Sequence, residues 1–167
     1  VAHKGEKITC RRKGREQIIP MPGRLNLFEN AASKFRKARR LLRLDKAVIL
    51  PTDENLLLFR RHEIWRYSFA EGMWKKCDVI LNCRNPMYNG VLRTPDGDVF
   101  FGEYGNPGRA GKRIFKSSDN GVTWKCVYTF SPDEIRHIHC LSWDPFEEKI
   151  WVFTGDADHE CKVLCCD

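Results

Sequence analysis

The feature that most constrains the fold of this chain is a strand–turn–strand layout that occurs three times after residue 45. Each copy has an apolar strand, a turn rich in Pro or Asp, and a second apolar strand: VILPTDENLLLF, VLRTPDGDVFFG and LSWDPFEEKIWVFTG. In the second strands, Phe100 follows Leu57 by 43 residues and Trp151 follows Phe100 by 51. A period of roughly 40–50 residues with room for four short strands is typical of β-propeller blades.

Short apolar runs with a period of two residues, separated by Gly, Pro, Asn and Asp, predict the individual strands. We expect strands near 46–50, 55–60, 63–69, 73–79, 90–94, 98–103, 112–117, 123–130, 136–143, 149–154 and 161–166. The predicted class is all-β, an incomplete propeller of about 2.7 four-stranded blades at 45–80, 88–131 and 135–167, the last of them truncated. Because propellers close with about 4–8 blades, we expect a longer chain or self-association that completes the ring.

The formal charge of +7 is concentrated at the N-terminus. Residues 1–44 contain 13 Lys and Arg against 3 Asp and Glu, whereas residues 45–167 contain 16 against 19. Residues 1–25 predict a basic, irregular segment. At 26–44 a basic amphipathic helix is predicted, since apolar residues recur there every three or four positions, at Leu27, Ala31, Phe35, Ala38 and Leu42.

A basic segment of this kind can bind nucleic acid, acidic lipid or an acidic protein face. We interpret it first as a solvated surface, and we do not expect nucleic acid as a partner. No apolar run approaches the length of about 20 residues that a membrane helix needs, so we expect no membrane partner either.

The eight cysteines include no C-x-x-C pair. Zinc could use His159, Cys161 and Cys165, but reduced thiols are the favoured interpretation. We therefore expect a cytoplasmic protein, or a secreted one if a leader was removed.

One specific motif lies at 114–124, where IFKSSDNGVTW matches the pattern S-x-D-x-G-x-T-W. We expect a tight turn between two strands, in which glycine adopts a positive φ angle and the aspartate accepts hydrogen bonds from the turn. The two hydroxyls serve neighbouring groups, and the tryptophan ring is buried. A degenerate frame ending at Trp74 lacks the polar residues, which favours a structural role. The motif residues are Ser117, Asp119, Gly121, Thr123 and Trp124.

The motif and the period resemble the Asp-box (BNR) repeats of the sialidase-like β-propeller superfamily. The stretch 90–167 further resembles an uncharacterised bacterial group of BNR-repeat proteins, through FGEYGNPGR, the Asp box, IRHIHCLSWDP and IWVFTGDADHEC. The resemblance implies a propeller and sugar ligands, with Asp boxes on turns away from the active site. A sialidase would need an arginine cluster, a Tyr–Glu pair and an Asp acid. Glu103 and Tyr104 are adjacent, which in a strand places them on opposite faces, so we do not expect sialidase activity.

Polar residues follow the second strand of the middle and last repeats, and others open the last repeat. Because loops on one face of a propeller gather around its axis, we group them as one candidate site. The candidate acid/base residues are Glu103 and Asp156. The candidate ligand-binding residues are Tyr104, Asn106, Arg109, Arg136, His137, His139, Asp158 and His159.

Two parts of this site allow alternatives. His137 and His139 are two residues apart in a strand, so they share a face and could converge on a ligand or a metal, although hydrogen-bonding histidines are commoner. Asp156, Asp158 and Glu160 alternate along one loop. A solvated turn is the simpler interpretation and a bound divalent cation is the alternative, so we name no cofactor and no metal ligands.

We expect a module that binds a glycan or another small polar ligand, with no demonstrable catalysis. Aromatic faces stack on sugars, and charged groups bind their hydroxyls. One alternative is a glycoside hydrolase or lyase that uses Glu103 or Asp156 as acid/base, with Arg109 and Arg136 holding an acidic sugar. The other is a protein-interaction scaffold whose basic helix at 27–44 docks an acidic partner.

Overall fold

The structure, a computed structural model, describes residues 1–4, 6–12, 14–23, 26–42, 44, 46–79, 81–105 and 111–166, and for Lys4 and Arg40 the backbone alone. The chain divides into two compact units, Val1–Ala47 and Val48–Asp167. Within the described residues, no helix combines the length and the hydropathy that a membrane span requires.

The described residues of the first unit form three strands and two short helices. They are β1 (Ala2–Lys4), β2 (Lys7–Arg12), β3 (Arg15–Pro20), α1 (Leu27–Ser33) and α2 (Arg36–Leu41). The strands form one antiparallel sheet in the order β1-β2-β3, so the expectation that residues 1–25 are irregular is corrected. In β2 burial alternates with a period of two residues, but charged side chains obscure it in the sequence: Ile8 and Cys10 are buried, whereas Lys7 and Arg11, which flank them, are exposed.

The helical segment is split, where a single helix was expected over 26–44. Asn26 and Glu29 form a capping box that starts α1: the Glu29 amide donates to Asn26 Oδ1 at 2.7 Å, and the Asn26 amide donates to Glu29 Oε2 at 3.1 Å. At the end of α1 the amides of Lys34 and Phe35 bond to carbonyls only three residues earlier. This tighter turn interrupts the α-helical hydrogen bonds before α2 begins.

The described residues of the second unit form eleven strands, each overlapping one expected from the sequence, and a 3₁₀ helix (Tyr88–Gly90) before the fifth of them. The strands are β4 (Val48–Pro51), β5 (Asn55–Arg60), β6 (Glu63–Ser68), β7 (Met73–Lys76), β8 (Val91–Arg93), β9 (Val99–Gly102), β10 (Arg113–Ser117), β11 (Lys125–Thr129), β12 (Ile138–Asp144), β13 (Lys149–Thr154) and β14 (Val163–Cys166).

These strands form three antiparallel meanders, each built from consecutive strands. The first sheet is β4-β5-β6-β7, the middle sheet is β8-β9-β10-β11 and the third sheet is β12-β13-β14. Leu57, Phe100 and Trp151 lie in the second strand of their sheets, so the repeat seen in the sequence is one sheet. The all-β character is thereby confirmed, and none of the described sheets closes on itself.

The middle sheet packs against both of its neighbours through alternate residues of one strand. On β9, Phe101 joins the core shared with Phe59 of the first sheet, and their rings meet edge-on at 5.3 Å. Its neighbour Phe100 points the other way, into the core that contains Ile138 of the third sheet. Because both faces of β9 are covered, its sequence is a continuous apolar run, and the three sheets stack face to face in chain order.

The Asp box forms the turn between β10 and β11. Asp119 Oδ1 accepts hydrogen bonds from Ser117 Oγ (2.8 Å), the Val122 amide (3.0 Å) and the Thr123 amide (2.9 Å), while Thr123 Oγ1 donates to Oδ2. The Gly121 amide donates to Ser117 Oγ at 2.9 Å. Burial acts to raise the pKa of Asp119, but these hydrogen bonds outweigh it and hold the pKa below its ordinary value.

The same turn contacts the first sheet. The Trp124 ring packs edge-on against Phe101 at 5.0 Å and Phe59 at 6.0 Å. Cys77 Sγ donates to the Gly121 carbonyl at 3.1 Å. The Asp box therefore holds the middle sheet against the first one. The corresponding turn of the first sheet, between β6 and β7, has four residues where this turn has seven.

Candidate ligand-binding site

Four of the expected site residues come together beside the middle and third sheets. Tyr104 follows β9, His137 precedes β12, His139 lies within it, and Asp156 follows β13. We name this group the Tyr104 cluster. Backbone contacts hold it in place, because Tyr104 and His137 form an antiparallel bridge and the Ile138 amide donates to the Glu103 carbonyl at 3.2 Å.

The three rings of the cluster pack on one another. Tyr104 stacks on His137 with ring centroids 4.2 Å apart and planes 20° apart. His139 meets both rings edge-on, at 5.6 Å from Tyr104 and 5.7 Å from His137. Such stacked and edge-to-face pairs are the favoured aromatic arrangements, so the cluster presents a defined aromatic surface.

Both imidazoles converge on the carboxylate of Asp156. His137 Nε2 lies 2.9 Å from Oδ2, and His139 Nε2 lies 3.1 Å from Oδ1 and 2.9 Å from the Gly155 carbonyl. Since the carboxylate and the carbonyl can only accept, each Nε2 carries the proton it donates. Burial lowers the pKa of His137 and outweighs the opposite effect of Asp156, which favours the neutral ring.

A β-bulge explains how two histidines reach one carboxylate. Ile138 pairs with Thr154 and Cys140 pairs with Phe153, so His139 is an extra residue in β12. The sequence predicted convergence on the assumption of a regular strand. In the structure the convergence occurs at an irregularity, and bulges commonly redirect a side chain in this way.

The members of the cluster differ in their access to solvent. The His137 side chain is 10% exposed, whereas His139 is 34% and Asp156 is 45% exposed. Tyr104 is half-buried. His137 therefore holds Asp156 and the Tyr104 ring in place from the buried side. The surface available to a ligand consists of the Tyr104 ring, His139 and the Asp156 carboxylate.

Glu103 is next to the cluster in sequence but is held in a buried ion pair. It is completely buried, and its carboxylate accepts from Arg113 Nη2 (2.8 Å), Arg113 Nε (3.1 Å), the Arg113 amide (3.1 Å) and the Asn82 amide (2.6 Å). These four bonds occupy the acceptor capacity of a carboxylate. The arrangement joins residue 82 to the start of β10 and leaves no oxygen for a substrate.

Arg113 and Asn82 were not anticipated from the sequence. Gly102 pairs with Ile114 in the β9–β10 ladder, which places Glu103 across from Arg113. The pairing of Glu103 with Arg113 could be inferred only once the register of the two strands was known. The contact with Asn82 could not be inferred from the sequence either, because residue 82 lies in a separate loop.

The remaining carboxylates of the 155–160 loop do not converge. Glu160 is buried, with Oε1 2.8 Å from Arg136 Nε and 3.6 Å from His159 Nε2, whereas Asp158 is exposed. Across the described ranges, no group of three or more His, Cys, Asp or Glu side chains is arranged to hold a metal ion. The cation alternative at Asp156, Asp158 and Glu160 gains no support from this arrangement.

Two expected ligand-binding residues, Asn106 and Arg109, lie outside the described residues. Of the others, the structure brings together Tyr104, His137 and His139, and it places Arg136 and His159 at Glu160.

Comparison with known proteins gives no family assignment, since neither a family model nor a curated protein matches this chain. The function is therefore argued from the geometry and chemistry of the site.

Proposed function

We propose that the second unit is a segment of a sialidase-like β-propeller and that its Tyr104 cluster binds the hydroxyl groups of a glycan or a similar small polar ligand. The observation that carries this proposal is the convergence of His137 and His139 on the half-exposed Asp156, beside the Tyr104 ring. Support for the propeller comes from three consecutive meanders that stack face to face, with the Asp box on the turn between the third and fourth strands of the middle sheet.

The chemistry of the cluster suits a sugar. An aromatic ring offers a flat apolar face to the C–H surface of a pyranose, and carboxylate oxygens accept hydrogen bonds from hydroxyls. Each oxygen of Asp156 accepts one bond from an imidazole and retains lone pairs for a ligand. Because the two imidazoles fix the orientation of Asp156, little side-chain freedom is lost on binding.

The proposal concerns binding and not hydrolysis. A glycosidase of the usual kind needs two carboxyl groups that flank the bond to be cleaved, and the oxygens of Glu103 are bonded to Arg113 and Asn82. Arg136 is paired with Glu160 at 2.8 Å, so its charge is already compensated. A neutral sugar therefore fits better than the acidic sugar of the enzyme alternative.

A glycan microarray followed by calorimetric titration of the best saccharide tests the proposal. We expect Tyr104→Ala and Asp156→Asn to weaken binding by about tenfold each, the effect of losing one well-made contact of about 1.4 kcal/mol. Asp158→Asn is the matched control, because Asp158 is an exposed carboxylate of the same loop outside the cluster. The proposal fails if no saccharide binds the unmodified protein, or if all three variants bind it equally well.

A separate observation in the first unit supports a second function, that of a protein-interaction surface. Large apolar side chains of the helical segment are exposed: Leu27 is 91%, Phe28 71%, Phe35 68% and Leu41 83% exposed. Exposed basic side chains lie in the same segment, at Lys34, Arg36 and Lys37. Exposed apolar groups beside basic ones are typical of a surface that another molecule covers.

We infer that this surface binds an acidic protein segment that also carries apolar residues. Of the four exposed apolar side chains only Phe28 and Phe35 can stack on nucleic-acid bases, whereas all four can pack against an apolar protein segment. Two helices of seven and six residues are short for a helix that lies in a membrane surface. The probe is a fluorescent peptide of alternating Glu and Leu blocks. Replacement of Lys34, Arg36 and Lys37 by Glu, or of Phe35 by Ser, is expected to reduce its binding, with Lys125→Glu in β11 as the control. Equal binding by all variants would contradict this function, as would a preference for single-stranded RNA or for anionic vesicles.

A further inference from the structure

A cavity of about 490 Å³ lies between the middle and third sheets. It is a different place from the Tyr104 cluster, because its lining includes the turns that precede β9 and β13, whereas the cluster residues Tyr104 and Asp156 follow those strands. Its volume falls within the range of about 300–1,000 Å³ that is typical of small-molecule sites. No part of the proposed function uses it.

The wall of the cavity is largely apolar and includes aromatic rings from both sheets. The middle sheet contributes Phe100 and Tyr128, and the third sheet contributes Trp143 and Ile150. Tyr128 also packs edge-on against Phe130 at 4.8 Å. Rings on opposite walls of a cleft of this size favour a flat apolar occupant.

Part of the cavity lining is charged, and these charges argue against an anionic occupant. Lys116 Nζ lies 2.6 Å from Asp98 Oδ2 and 5.4 Å from the centre of the Phe100 ring, so the ammonium is already compensated. Asp96 and Glu148 line the same cavity. The lining is therefore net negative, and an anion would be repelled.

We propose that this cavity between the sheets is a binding site for a flat, uncharged, largely apolar molecule. The rings of Phe100, Tyr128 and Trp143 pack against the ligand. The site is independent of the Tyr104 cluster and of the sugar ligand proposed for it.

The first test is a titration with coumarin, a flat neutral molecule. The titration is monitored through the indole N–H signals in ¹H–¹⁵N spectra. The Trp143→Phe variant identifies the Trp143 signal. We expect coumarin to shift that signal, because the Trp143 ring lines the cavity. Neutral naphthalene should bind as well, and anionic 2-naphthoate should bind more weakly than coumarin.

The second test fills the cavity. Val127 lines it and is 50% exposed, whereas Val163 on β14 is 61% exposed and does not line it. Val127→Trp is expected to abolish coumarin binding, and Val163→Trp is expected to leave it unchanged. The proposal is overturned if Val127→Trp binds coumarin normally, if 2-naphthoate binds more tightly than coumarin, or if light scattering shows a dimer that Val127→Trp dissociates, because the cavity would then be an interface between copies of this chain.

Discussion

Gly121 of the Asp box lies so close to Leu57 of the first sheet that a Cβ on Gly121 would be 2.9 Å from Leu57 Cδ1 and closer still to Cδ2. Gly121 also has a φ of 84°, in the left-handed region that favours glycine. The turn therefore requires glycine for its backbone and again for its packing. The sequence motif indicated the first requirement, and only the neighbouring sheet reveals the second.

Gly121→Ala is expected to lower the free energy of unfolding by about 2–4 kcal/mol, because backbone strain of about 1 kcal/mol adds to an overpacking cost of about 1–3 kcal/mol. Urea denaturation measures the change. Gly97→Ala is the matched control, since Gly97 has a φ of 92° but its nearest neighbour, Arg93 Nη2, would be 3.7 Å from the new Cβ. Equal losses in the two variants would show that the contact with Leu57 contributes nothing.

Asp119→Asn should destabilise the protein at neutral pH and flatten its stability at acidic pH. The folded pKa of Asp119 lies below the ordinary value. This carboxylate therefore contributes stability that is complete above about pH 4, the unfolded pKa, and is lost as the pH falls through the folded pKa. The expected loss at pH 7 is about 1 kcal/mol for weakened hydrogen bonds. Thermal melts from pH 7 to pH 2.5 should show a smaller acid-induced drop for this variant than for the control Asp96→Asn.

Arg113→Met should be strongly destabilising, because it would leave the completely buried Glu103 without its counter-charge. Removing one partner of a buried ion pair typically costs about 3–5 kcal/mol. The double variant Glu103→Gln, Arg113→Met should recover part of that loss, since no uncompensated charge then remains. Chemical denaturation of the unmodified protein, Arg113→Met and the double variant measures their free energies of unfolding. A loss of unfolding free energy below about 1 kcal/mol for Arg113→Met would contradict a buried ion pair between Glu103 and Arg113.

Asp156→Asn should lower the pKa of His137 further. Burial already holds this pKa below its usual value, and the Asp156 carboxylate is the main influence in the opposite direction. Because the folded pKa is depressed, the neutral His137 ring contributes stability above about pH 6.5 that declines as the pH falls below the unfolded pKa. Imidazole ¹H–¹³C titration measures the pKa directly. An unchanged or higher value in the variant would show that the contact between Asp156 and His137 is not made in solution.

Alkylation of the thiols tests the burial pattern. Cys77 and Cys83 are buried, whereas Cys126 and Cys165 are exposed. Burial raises the pKa of Cys83 to about 12, so almost no reactive thiolate forms there at neutral pH. Iodoacetamide at pH 8 should therefore modify Cys126 and Cys165 rapidly and leave Cys83 intact until denaturant is added, as followed by peptide mass spectrometry. Rapid modification of Cys83 in the native protein would contradict the described core.

The strands of the second unit were predictable because their signal is local. Val99, Phe100 and Phe101 form an apolar run bounded by turn residues, and the period of two follows from backbone geometry alone. The strands β1, β2 and β3 were missed because this part of the sequence is rich in polar and charged residues, and in β2 Lys7 and Arg11 hide the alternation of Ile8 and Cys10. The helix was predicted as one element because periodicity does not register the tight turn at Lys34 and Phe35.

The candidate site was predictable only as a set of residues. Alternation along β12 suggested that His137 and His139 act together, and the repeat placed Tyr104 and Asp156 after equivalent strands. The partners of Glu103 could not be inferred, because Arg113 and Asn82 reach it through strand register and loop placement.

The sequence by itself therefore determined where the strands and turns of the second unit lie, that they recur as a sheet-sized repeat, and that the Asp box is a tight turn. These properties depend on the conformational preferences of residues that are neighbours in the chain. The tertiary structure alone decided which polar groups meet: Glu103 is buried against Arg113, and a bulge in β12 brings His139 with His137 to Asp156. Such encounters depend on strand register and sheet stacking, and both arise from contacts between residues far apart in the sequence.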